Sequence, residues 1–256
     1  MLHPEAAIAL AQQWGAYSIV LGINEPTLSF EYSYDVARLA QAAGLKILIN
    51  TNGFSSPATI QRLAPYVDTV LVGIKGSGDP AFYRRWMRAE DAMPHVLAAL
   101  RTWQRAGVRV QVGDLIAMPQ MQSADEAAVA QDRLYRFVRG ELGPHTVVTI
   151  QSMHHPRVAG AYLLPNAQDP APEAVQAAAE RVQAALARAH AIGLPYATTE
   201  ASEFAGITCH DCGGLLLRKV GPPAPCAGCL MAQQYCACSS HEQHVTDGRC
   251  DWCGAM

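Results

Sequence analysis

The sequence predicts an α/β protein with a parallel sheet, arranged as a partial barrel or an open sheet, followed by a small cysteine-built tail. Three observations carry this. Short apolar runs alternate strictly with stretches of helical periodicity from Pro4 to about Thr198, the pattern of right-handed βαβ crossovers. Polar residues gather just past the ends of the apolar runs, where parallel α/β sheets place their ligands. All eight cysteines lie after Thr208, so one part of the chain is built around thiols and the other avoids them.

The elements follow in order. Pro4 to Trp14 carries apolar residues at helical spacing and stops at Gly15, and Tyr17 to Leu21 is a strand. Tyr32 to Ala43 is a helix closed by Gly44, then Leu45 to Ile49 a strand. Pro57 to Leu63 is a short helix with Ser55 or Ser56 as its N-cap, and Thr69 to Ile74 a strand. Asp79 to Met87 and Met93 to Ala106 are helical, Val108 to Val112 a strand, Ala124 to Arg139 a helix and Thr146 to Ile150 a strand. The alanine-rich Pro172 to Ala191 is a long helix, followed by an extended segment at Tyr196 to Thr198. About five strands precede residue 155, too few for an eight-stranded barrel, and the order begins with a helix, as though a first strand were lacking.

Composition excludes several classes. Half of the 256 residues are hydrophobic and 16% are charged, enough for a sizeable core. A net charge of −3 gives no electrostatic reason to expect nucleic acid or an acidic membrane surface. Arg84, Arg85 and Arg88 read as a solvated helix face. No apolar run approaches the ~20 residues of a membrane span. Met1-Leu2-His3-Pro4-Glu5 lacks the basic-then-apolar pattern of a signal peptide, and the chain reads as cytoplasmic.

The polar residues at the strand ends are Asn24, Glu25 and Thr27; Asn50, Thr51, Asn52 and Gly53; Lys75; Asp114; and Gln151, Ser152, His154 and His155. Each alone has a plain reading: Asn52-Gly53 is an ordinary turn signal and His155-Pro156 a capped loop. With parallel strands, all of them open onto one rim.

The tail begins after about residue 203, which divides the chain into 1–203 and 204–256. Cys209-x-x-Cys212-Gly and Cys250-x-x-Cys253-Gly form matched knuckles, each turning two thiolates toward one metal, and together they make a four-thiolate zinc site. Cys226-x-x-Cys229 and Cys236-x-Cys238 supply four more thiolates, enough for a second zinc. Pairing in sequence order, with Cys209, Cys212, Cys226 and Cys229 on one ion, is equally compatible with the spacing. An iron–sulfur cluster in the tail is the less favoured reading, and His241 and His244 read as solvated loop residues. Metal would supply much of the folding energy of so short a tail.

Asn24-Glu25-Pro26-Thr27 through Tyr34-Asp35, then Thr51-Asn52-Gly53, Ile74-Lys75-Gly76 before Phe82-Tyr83-Arg84, Leu142-Gly143-Pro144-His145 and His154-His155-Pro156 resemble radical S-adenosylmethionine enzymes. The likeness is to the pyruvate formate-lyase activating enzyme-like branch and, within it, the AmmeMemoRadiSam group, whose zinc ribbon the tail also resembles. The resemblance implies an incomplete (β/α)6 partial barrel that binds S-adenosylmethionine and a [4Fe–4S] cluster. It implies reductive cleavage of S-adenosylmethionine to a 5′-deoxyadenosyl radical that abstracts hydrogen from a small molecule or protein, with an external electron donor. Carried over by residue, Asn24 and Glu25 match the motif that receives the cofactor's amino group; a carboxylate and an amide carbonyl suit an ammonium. Thr51 and Asn52 would lie near its ribose or methionine portion, Lys75 would pair with its carboxylate, and His155 would sit at the rim.

Two departures stand out. Gly73 occupies the place where the branch carries an aspartate two residues before the lysine. The family's C-x-x-x-C-x-x-C loop, which ligates the cluster, has no counterpart before Cys209. Either the chain starts too late, or this is a homologue that kept the scaffold as a non-catalytic nucleoside- or partner-binding module. Loss of a first βα unit would expose a strand edge, which weighs toward the former.

Overall fold

The computed structural model describes residues 2–22, 24–153 and 172–199, together with the backbone of four short strands in the tail. Ten-residue α1 (Pro4–Gln13) leads into β1 (Ser18–Leu21). Then come a 3-10 turn (Pro26–Ser29), α2 (Phe30–Ala42), β2 (Lys46–Thr51), α3 (Pro57–Leu63) and β3 (Thr69–Lys75). A single helical turn at Pro80–Phe82 runs into a π turn (Tyr83–Met87), and then α4 (Ala92–Arg105) leads to β4 (Arg109–Ile116). The last units are α5 (Ala124–Phe137) with its π extension (Val138–Leu142), β5 (Val147–Ser152), α6 (Pro172–Ile192) and β6 (Ala197–Thr199).

The six strands form one sheet in the order β1-β2-β3-β4-β5-β6, every pair parallel. An unbroken sequential order with crossovers of one hand puts every helix on the same side. The core has that form: Val36, Ile60, Leu100, Tyr135 and Ala185, one from each of α2 to α6, belong to a single buried cluster with Ile47, Val72, Val112 and Ile150 of the sheet. A doubly wound sheet would reverse its order and cover both faces. This is a barrel slice, and the extended segment near Thr198 is its sixth strand.

Alternation along each strand sorts the residues. Ile47, Ile49 and Thr51, then Val70, Val72 and Ile74, then Val112, Asp114 and Ile116 face the helices and are buried. The opposite phase carries Val20, Leu48, Asn50, Leu71, Lys75, Gln111, Leu115, Thr149 and Gln151, none of them buried among the described residues. Val20, on edge strand β1, is 60% exposed. This second face is called the open face below.

Local signals account for the helix starts. Ser56, rather than Ser55, caps α3 by accepting from the Thr59 amide at 3.1 Å. Ser123 and Glu126 close a capping box at the start of α5. The segment expected as a helix over Asp79–Met87 is helical, but widens from one α turn into a π turn, which ends with Arg88 in the left-handed region. Arg84, Arg85 and Arg88 are exposed, as a solvated face requires, with Arg85 stacked on Trp86.

In the tail, Gly206–Thr208 pairs antiparallel with Leu215–Arg218, and Val245–Thr246 with Arg249–Cys250. His155 and the thiols of Cys209, Cys212, Cys226, Cys229, Cys236, Cys238, Cys250 and Cys253 lie outside the described residues.

Candidate functional site

Strands β2 to β5 run further than the apolar pattern suggests, and this changes which polar residues reach the rim. β2 ends at Thr51 rather than Ile49, and β4 continues to Ile116 rather than Val112. Polar residues within a parallel ladder keep its hydrogen bonds, so composition alone ends the strands too early. Asp114 is therefore interior to β4 and fully buried on the helix-facing side, not at the rim. Its expected placement with the other strand-end residues is corrected on that ground.

Glu25 organises the mouth of β1 and β2. Its Oε1 accepts from the Thr51 hydroxyl at 2.7 Å and from the Thr27 hydroxyl at 2.8 Å, while Oε2 accepts from the Asn52 amide at 2.7 Å. A carboxylate receiving several donors is a strong tie between otherwise separate loops. Thr51 in turn accepts from the Gly53 amide at 3.1 Å, and the Asn52 side chain accepts from the Phe54 amide at 2.9 Å. Gly53 has φ +83, and a Cβ there would lie 2.9 Å from Val72 Cγ1, so the turn admits only glycine. Asn24 is exposed beside this clamp, its amide donating to the Gly22 carbonyl at 3.0 Å.

Lys75, the last residue of β3, lies on the open face. Its Nζ folds back along the strand and donates to the Gly73 carbonyl at 2.8 Å. Gly73 sits in register with Gly113 of β4, and Gly113 with Thr149 of β5. Both glycines are buried, with Leu71 and Leu115 packed over them and the Lys75 amine 3.2 Å from where a Gly73 Cβ would lie. Burial lowers the Lys75 pKa, and the Glu25 carboxylate opposes that shift. The mouth thus holds an amine and a carboxylate close enough for the Glu25 charge to act on Lys75.

Sequence reasoning brings Asn24, Glu25, Thr51, Asn52 and Lys75 to one mouth; hydrogen bonds join Glu25 to Thr51 and Asn52, and the Glu25 charge reaches Lys75. It gave no role to the glycine pair or to the turn after Lys75. In that turn Ser77 donates to Asp114 Oδ2, and Gln122 donates to the Gly76 carbonyl and to Asp79. The signals were present as Gly-Ser-Gly after the lysine and as an aspartate in the apolar phase of β4.

A one-sided parallel sheet in sequential order, with polar residues at the carboxyl ends of its strands, is the form of a partial β/α barrel. The chain belongs to the radical SAM superfamily: that family's model matches residues 3–132. The chain is 26% identical over 223 residues to the uncharacterized protein MJ0808 of Methanocaldococcus jannaschii, covering 85% of this chain and 60% of that protein. It thus spans about 60% of the length of this curated relative. Its fold is similar to that of a domain of pyruvate-formate lyase-activating enzyme from Bacteroides vulgatus, with a TM-score of 0.52, 16% identity, and coverage of 72% of this chain and 99% of that one. No helix among the described residues is long and apolar enough to cross a membrane.

Membership in this superfamily implies S-adenosylmethionine and a [4Fe–4S] cluster. The mouth at the strand ends fits the first: it offers the Lys75 ammonium and the Glu25 carboxylate to a zwitterionic nucleoside. The described residues do not fit the second, because no group of three or more His, Cys, Asp or Glu among them could hold a metal.

Proposed function

We propose that the open-face mouth binds S-adenosylmethionine, with Lys75 as the cation for its carboxylate. The observation that carries this reading is the half-buried Lys75 amine, held among the described residues by the Gly73 backbone carbonyl. An incoming carboxylate exchanges that neutral acceptor for a charged one, which strengthens the bond. Glu25 fixes the positions of Thr51 and the Asn52 backbone, and its Oε2, with a single donor, has room to accept from the cofactor's amino group. Asn24 stands exposed at the same edge, and Leu71 and Leu115 offer apolar contact beside the glycines.

Bound S-adenosylmethionine supplies the sulfonium whose reductive cleavage is the chemistry of this superfamily. The tail, residues 204–256, folds as a separate zinc-ribbon unit on Cys209, Cys212, Cys250 and Cys253, with Cys226, Cys229, Cys236 and Cys238 as a second four-thiolate set. The support for this is their spacing.

Equilibrium dialysis of the chain against radiolabelled S-adenosylmethionine tests the first part, with expected saturable binding displaced by S-adenosylhomocysteine. Absence of saturable binding overturns it. Zinc content of the chain and of a Cys209→Ser, Cys212→Ser variant tests the second, and equal zinc in both overturns the assignment of those two ligands.

A further inference from the structure

Directly after Lys75 the backbone does something costly. Gly76, Ser77 and Gly78 all have positive φ, at 52, 53 and 77°. The glycines are forced: a Cβ on Gly76 would lie 2.5 Å from the Phe82 ring, and one on Gly78 would lie 2.8 Å from the Met93 methyl. Ser77 is not a glycine, and a side chain in the left-handed region needs a partner to hold it there. Its partner is Asp114 on the neighbouring strand. The Ser77 hydroxyl donates to Asp114 Oδ2 at 3.2 Å, and the Tyr135 hydroxyl of α5 donates to the same oxygen at 2.6 Å. Oδ1 is buried with no hydrogen-bond partner among the described residues.

We propose that Asp114 is a positioning residue for Lys75, gripping the left-handed turn from the helix-covered side of the sheet and loosening that grip when it takes up a proton. The inference rests on the reading of Lys75 as the cation for the cofactor's carboxylate. Asp114 and Lys75 lie in opposite phases of neighbouring strands, so the coupling runs through the turn. A carboxylate holds two hydroxyl donors by charge-assisted bonds, and a neutral acid holds them more weakly. The Lys75 amide is tied to the same region, donating to the Tyr83 hydroxyl at 3.2 Å.

The groups facing Asp114 are few. Ser77 comes from the turn and Tyr135 from α5, with Arg188 of α6 acting on Tyr135 from behind. Tyr83 of the π turn feels the Asp114 charge. No cation pairs with the carboxyl among the described residues, and burial pushes its pKa up to about 6 against the two hydroxyl donors.

The chain has three lysines, Lys46, Lys75 and Lys219, so 13C-dimethylation of the amines gives a spectrum assignable with Lys→Arg variants. The Lys75 signal is expected to shift with a midpoint near pH 6 in the wild type and to stay flat through that range in Asp114→Asn. Tyr135→Phe and Ser77→Ala each remove a donor to the carboxylate and should move the midpoint up, by roughly half a unit to one unit. These two variants keep the test alive where Asp114→Asn fails to fold. A purely structural aspartate would alter stability without moving the Lys75 titration. A midpoint unchanged in both donor variants, or a wild-type profile in Asp114→Asn, overturns the proposal. S-adenosylmethionine affinity at pH about 5 and about 7.5, several-fold weaker at the lower pH, separates this inference from the one beneath it. Lys75 following Asp114 without any cofactor binding keeps the positioning role and removes the cofactor reading; binding with a Lys75 signal indifferent to Asp114 does the reverse.

Discussion

The Lys75 amine lies 2.8 Å from the Gly73 carbonyl oxygen, folded across the one residue of β3 whose missing side chain makes room for it. A Cβ on Gly73 would come within 3.2 Å of that amine and 3.5 Å of Leu115. The glycine that replaces the branch's aspartate therefore removes a carboxylate and, in the same change, creates the space in which the amine rests. Gly73→Val should leave the fold intact, because valine suits a strand, while displacing the amine. S-adenosylmethionine affinity is expected to fall at least about tenfold, or ~1.4 kcal/mol, with thermal stability within about 1 kcal/mol of wild type.

Glu25 ties its own turn, at Thr27, to the end of β2, at Thr51 and Asn52, through one side chain. Glu25→Gln keeps the shape but loses the charge that strengthens each bond from Thr27, Thr51 and Asn52. Urea denaturation should show a loss of about 1–3 kcal/mol, with Glu25→Ala losing more.

Gly53→Ala addresses the same mouth from below. The substitution meets both a φ of +83 and a contact 2.9 Å from Val72 Cγ1. A cost of about 2–3 kcal/mol is expected in the same assay, beyond the ~1 kcal/mol of left-handed backbone alone.

Asp114 makes stability depend on pH with a definite sign. Its folded-state pKa of about 6 is above the ordinary 3.8, so the folded chain binds the proton more tightly than the unfolded one. Its contribution is fully present below the unfolded value and is lost as pH rises through about 6. The stability of wild type relative to Asp114→Asn should fall by about 3 kcal/mol between pH 4 and pH 7, since two units are worth roughly that much. A difference that is constant across this range contradicts the assignment.

Much of this was legible in the residues themselves. The alternation from Pro4 to Thr198 is the sheet, and glycine or serine boundaries placed α2 and α3 within a few residues. Asn24, Glu25, Thr51, Asn52 and Lys75 share a mouth because parallel strands deliver their carboxyl ends to one side. Asp114 was misplaced because hydropathy cannot tell a polar residue that ends a strand from one buried within it; only the Tyr135 and Ser77 hydroxyls, which come from distant elements, make that burial tolerable. The helix predicted over Asp79–Met87 is present, widened in its second half to a π turn. Packing of Phe82 and Tyr83 against Ala92 and Ala117 overrides local propensity there.

The most direct test of the cofactor site is a map of backbone amide shifts on adding S-adenosylmethionine. The account predicts saturable changes at Gly22, Asn52, Gly73, Lys75, Gly113 and Thr149, weakened at least tenfold by Lys75→Met. Saturable changes elsewhere on the chain, or a map unaltered by Lys75→Met, would contradict it.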